Sequence, residues 1–141
     1  MKQELIFLPM LGQIVLVMLV YVVLSVRKRQ ELGKGGVDLK RTALDPKAWP
    51  ESVVKASNNI TNQFELPVLF LALCLIFHQM QAVTTTVLVL AWVFVVSRYL
   101  HAFVHTTSNI IRFRLPLFLV GFAVVLALTL MAAWRLLGTG A

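Results

Sequence analysis

Two groups of polar side chains interrupt an otherwise apolar sequence at helical spacing. Asn58, Asn62 and Glu65 follow one another at intervals of four and three residues, and Arg98, His101 and His105 at three and four. Such spacing sets each group on one face of a helix. The two faces are chemically complementary. Arg98 offers a planar fork of N–H donors that suits a carboxylate, Glu65 can hold an ammonium group, and the Asn58 and Asn62 amides can pair with a peptide. Together they suit a small anionic or zwitterionic ligand. His101 and His105 also have the four-residue spacing of a metal-binding pair. Neither an HExxH pattern nor a cysteine accompanies them, so no metal is expected. Cys74, nine residues beyond Glu65 and without a cation close to it in sequence, reads as a small packing residue.

The elements that must position these residues are membrane helices. Hydrophobic residues make up 59% of the 141 and charged residues 13%, against about 45–50% and about 25% in soluble domains. That balance excludes a small soluble domain and a disordered chain, and a single cysteine excludes a disulfide scaffold. Formal charge is absent from Leu5 to Val26, between Glu65 and Arg98, and between Arg114 and Arg135. A crossing needs about 20 apolar residues, so the middle run holds two crossings. Its polar centre, His78 to Gln81 and Thr84 to Thr86, marks the turn between them. The expectation is an all-α, four-helix membrane bundle as one domain, 1–141, with helices near 5–26, 50–79, 83–104 and 115–136 and a loop over 27–49. The first run is too long for a signal peptide and ends in Arg27-Lys28-Arg29 rather than at a cleavage site, so it is expected to be retained. The second helix can run unbroken from Pro50, with Pro67 producing a kink or freeing a carbonyl near Gln63.

The net charge of +7 is distributed as a topology signal. The 27–58 segment carries Arg27, Lys28, Arg29, Lys34, Lys40, Arg41, Lys47 and Lys55, and the third connection carries Arg112 and Arg114. The opposite side has only Lys2 and Arg135. By the positive-inside rule the basic loops are cytoplasmic and both termini outside. Anionic membrane lipids account for the basic charge, and nucleic acid is not an expected partner. Trp134 and Trp49 mark the outer and inner interfaces.

Helices 2 and 3 run in opposite directions, so the two polar faces meet in the cytoplasmic half, with Arg27 and Arg29 at the end of helix 1 nearby. Glu65 and Arg114 also fall at similar depth with opposite charge. An isolated Asn or His on a membrane helix is most often an interhelical hydrogen-bonding group. Six such residues on two registered faces weigh as much for a binding site, because each is costly in hydrocarbon.

At Asn62-Gln63-Phe64-Glu65 followed by Pro67, and at Arg98-Tyr99-Leu100-His101, the sequence resembles the MAPEG family, membrane-associated proteins in eicosanoid and glutathione metabolism. The resemblance extends over nearly the whole chain, from the long basic first loop to the order of the motifs. It implies a homotrimer, with glutathione bound as co-substrate between subunits at the cytoplasmic side. Asn62 and Glu65 would contact glutathione, Arg98 and His101 would line the site, and Arg27 or Arg29 would contribute. His105 stands where enzymatic relatives often carry Tyr. The pattern also departs from those relatives. Asn58 stands where they place an Arg four residues before the Asn. Phe118 stands where they carry an Arg that stabilises the thiolate, and Phe122 replaces the Tyr one turn later. Arg114 or Arg112 would then have to stabilise a thiolate, with Arg114 the residue chosen.

Three functions stay open at this point. One is a glutathione transferase or peroxidase acting on a lipophilic small molecule from the bilayer. A second is a non-enzymatic lipid-binding, ligand-binding or scaffold protein with the same cleft, since fold alone does not set activity. A transporter is third, with neither an internal repeat nor Gly-broken helices in its favour.

Overall fold

The structure is a computed structural model and describes residues 2–138. It contains helices and turns, with no strand among the described residues. Helix α1 spans Phe7–Lys34 and follows a 3-10 turn at Gln3–Ile6. A short α2, Leu39–Leu44, and a 3-10 turn, Pro46–Ala48, lead to α3, Glu51–Gln63. Then come α4, Leu66–Gln79; α5, Thr85–Thr106; and α6, Ile111–Gly138. Taken as Gln3–Lys34, Glu51–Gln79, Thr85–Thr106 and Ile111–Gly138, four helical stretches are long and apolar enough to cross a membrane. This is an integral membrane four-helix bundle.

Two local features differ from the sequence expectation. The loop expected over 27–49 is helical as far as Lys34, because Arg27-Lys28-Arg29 and the following Gln30-Glu31-Leu32 are all compatible with a helix. Asp38 then caps α2 by accepting from the N–H groups of Lys40 and Arg41, and Asp45 accepts from Lys47 N–H. The second helix, expected unbroken over 50–79, is interrupted at Phe64–Glu65. Pro67 sits in the first turn of α4, where its missing N–H costs nothing. That same missing N–H deprives the Gln63 carbonyl of its helical partner, so α3 stops there.

Helix α5 packs on one side against α1, α3 and α6, leaves Val89, Val96 and Phe103 exposed on the other, and α4 packs against α6. The apolar core runs along these contacts, with Phe70 and Phe94 stacked at 4.1 Å between ring centroids. Helix α1 turns Pro9, Gln13, Leu16 and Val20 inward and leaves Leu11, Ile14, Val15, Met18, Leu19 and Val22 exposed. In water such a surface would be untenable; in a bilayer it faces lipid or another subunit. At the opposite end from the basic loops, Gln3 Oε1 accepts from Val83 N–H at 2.8 Å, tying the start of the chain to the α4–α5 turn.

Candidate functional site

On the side of α5 that packs against α1, α3 and α6, Arg98, His101 and His105 are all buried. The corresponding residues of the second span are not. Asn58 and Glu65 are exposed on the outer surface of the subunit, and Asn62 is half-buried between them. One direct link joins the two faces. Arg98 Nη2 donates to the main-chain oxygen and to Oδ1 of Asn62, both at 3.4 Å. Bonds of that length are weak. Arg98 Nε and Nη1 and His101 Nδ1 are buried and have no hydrogen-bond partner among the described residues.

Asn62 and His101 line a cavity of about 190 Å³ together with Arg114, Phe118, Ile111 and Leu115. Arg114 is held at its rim, where Nη1 donates to Asn109 Oδ1 at 2.6 Å. Asn109 has φ of +54° in the turn between α5 and α6, a conformation that Asn tolerates well. The ring of His101 lies 6.2 Å from that of Phe118 and 5.5 Å from that of His105.

The remaining candidate residues fall elsewhere. Arg27 braces the helix ends, with Nη1 donating to Ser52 O at 2.8 Å and Nη2 to Thr106 O at 2.7 Å. Arg29 is exposed at the basic end. Ion pairs among the described residues join Lys34 to Glu31 and Lys55 to Glu51, so Glu65 forms none with Arg98 or Arg114. No cluster of three metal-ligating side chains occurs among the described residues.

Sequence reasoning passed over a second set of buried polar residues. Gln13 of α1, Asn59 and Gln63 of α3, and His105 of α5 form a continuous hydrogen-bonded chain. Two signals marked it: Asn59 and Gln63 repeat the four-residue spacing of Asn58 and Asn62, and Gln13 is the only amide in the Leu5 to Val26 run. They are inconspicuous beside Glu65 because amides carry no charge.

A sequence model of the MAPEG family matches residues 5–134, which takes in all four spans and both polar faces. The chain belongs to the MAPEG family. No curated protein and no solved structure matches it. Membership makes this a glutathione-related membrane protein in general terms. In this MAPEG chain the cavity wall beside His101 is the aromatic Phe118, and the cation nearest that wall is supplied by Arg114.

Proposed function

We propose that this MAPEG protein binds glutathione at its cytoplasmic side, in a cleft completed by a neighbouring subunit of a homotrimer. The observation that carries this reading is the exposure of Glu65. Helix α4 has 14 residues, about 21 Å at 1.5 Å each, which falls short of the ~30 Å hydrocarbon thickness. The crossing therefore takes in the last turns of α3, and Glu65 lies within it. A carboxylate facing lipid at such depth is costly, on the order of 2–3 kcal/mol near the helix centre by insertion scales. A second subunit and a polar ligand would relieve that cost. The cavity lined by Asn62, His101 and Arg114 is also small, since about 190 Å³ is below the roughly 300–1,000 Å³ of ordinary ligand pockets.

The residues present fit glutathione. The buried donors of Arg98 suit a carboxylate, Glu65 suits the γ-glutamyl ammonium, and Asn62 and Asn58 suit peptide groups. Arg29 stands exposed at the same end for the second carboxylate, while Arg27 contributes through its brace. His101 and His105 lie behind Asn62. A glutathione thiol is mostly protonated at neutral pH, and Arg114, steadied by Asn109, is the cation that would favour the thiolate. The thiolate would then attack a lipophilic electrophile or peroxide arriving from the membrane.

Phe118 favours a second reading, a ligand-binding or scaffold protein without turnover, because an aromatic wall gives a thiolate no charge. The deciding experiment is glutathione titration of the purified protein by calorimetry, followed by conjugation of a generic aromatic electrophile. Binding with turnover supports the enzyme, and binding alone the second reading. No binding at millimolar glutathione removes the enzyme and leaves a lipid-binding or scaffold protein of the same fold.

A further inference from the structure

We infer that Gln13, Gln63 and Asn59 form a directional amide chain that fixes the tautomer and ring of His105, and through it positions His101 in the cavity. Gln13 Nε2 donates to Gln63 Oε1 at 2.9 Å, and Gln63 Nε2 donates to Asn59 Oδ1 at 3.0 Å. With its carbonyl so occupied, Asn59 faces His105 with its amino group, 3.2 Å from Nδ1. Nδ1 must then accept, and the ring proton sits on Nε2. All four residues are buried, on three different helices. No water competes for these bonds, so each amide constrains the orientation of the next.

His101 needs this support. Its Nδ1 meets no hydrogen-bond partner among the described residues, so no bond at that atom orients the ring. Packing does so instead: His105 stands edge-on at 5.5 Å and 65° on one side, and Phe118 is tilted at 6.2 Å on the other. A His105 ring free to turn would release one of those two walls. Asn59, Gln63 and His105 are therefore positioning residues. His101 is the ring that this chain supports where it lines the cavity.

The test is nitrogen-15 spectroscopy of the histidine rings in the full-length protein in detergent, assigned with single His→Asn variants. In the ligand-free wild type His105 is expected to carry its proton on Nε2 with Nδ1 bare; a proton on Nδ1 overturns the inference without any mutant. Asn59→Leu removes the donor at Nδ1, so His105 should no longer hold a single tautomer. Gln63→Leu frees the Asn59 amide to turn, and His105 should show a mixture of tautomers. An unchanged His105 spectrum in either folded variant overturns the inference. The glutathione dissociation constant of each variant should also rise, roughly threefold, the average worth of one intramembrane hydrogen bond. Weaker binding without a tautomer change would mean a merely structural role and also overturns it. This last measurement alone rests on the glutathione reading: a wild type that binds no glutathione but shows the expected tautomers defeats that reading and leaves the amide chain standing.

Discussion

The guanidinium groups of Arg27 and Arg98 have the same chemistry and opposite circumstances. Arg27 spends its two terminal nitrogens on the carbonyls of Ser52 and Thr106, joining the ends of α1, α3 and α5. Bonds from a charged donor contribute about 1.5–3 kcal/mol each, discounted here because the group is only part-buried. Arg27→Ala should therefore lower stability by about 2–4 kcal/mol in thermal unfolding in detergent. Arg27→Lys should recover only part of it, since an ammonium lacks the fork. An alanine variant as stable as wild type would show that the brace bears no load. Arg98 is buried with Nε and Nη1 unmatched, donors that the proposed ligand would have to satisfy. Arg98→Ala and Glu65→Gln should each weaken glutathione binding about tenfold or more, the worth of one charge-assisted hydrogen bond. Calorimetric titration checks this, and unchanged affinity in both would place the site elsewhere. That Glu65 and Arg98 are candidates was legible from the sequence, because a formal charge beside a long apolar run has few structural uses. That Arg27 is a brace was not, because its partners are main-chain carbonyls far away in sequence, and carbonyls leave no mark on composition.

At the scale of elements, the decisive feature is the break at Phe64–Glu65. Pro67 removes the N–H that would have bonded the Gln63 carbonyl, and α4 restarts with Glu65 at its N-cap position. The carboxylate thereby stands at the positive end of a helix, a favourable place for it. Pro67→Ala restores the missing donor and a good helix former at once. The expected result is a second span closer to one continuous helix, with undiminished thermal stability and a several-fold weaker hold on glutathione because Glu65 is turned from its position. Parallel unfolding and titration experiments test this. A variant that binds as the wild type does would show that the break is incidental to the site. The proline was visible in the sequence, and a kink or freed carbonyl near Gln63 follows from it. Whether a proline bends a helix or divides it depends on what neighbouring helices offer the freed groups, and here Gln63 is held through its side chain by Gln13 and Asn59.

At the scale of the whole molecule, the subunit is covered by exposed Leu, Val, Ile and Phe side chains, with the Asn58, Asn62 and Glu65 face set among them. Lipid can cover the first kind of surface and covers the second only at a cost. For the proposed homotrimer, the detergent-corrected mass in solution should be three times the 15.8 kDa of the chain. A cysteine placed at Glu65 should form cross-links between subunits. A monomeric mass with no cross-link would remove the intersubunit cleft. Orientation can be read in the same preparation: Lys47→Cys should react with an impermeant maleimide only from the cytoplasmic face. The native Cys74 is buried and should contribute little background. Labelling from outside would invert the topology.

Composition and spacing were enough to set the class of molecule and the order of its spans. Twenty-residue apolar runs, the basic segments between them and the polar turn after His78 follow from hydrocarbon thickness and from the cost of burying charge, and both are local properties of a stretch of chain. Motif order along the chain likewise sufficed for the family. Tertiary structure alone decided which polar residues meet. Packing α5 against α1, α3 and α6 buried Arg98, His101 and His105, left Asn58 and Glu65 on the outside, and set Gln13 of α1 in line with Gln63, Asn59 and His105. Spacing along a helix fixes which residues share its face. Only the packing of the other helices determines what that face touches.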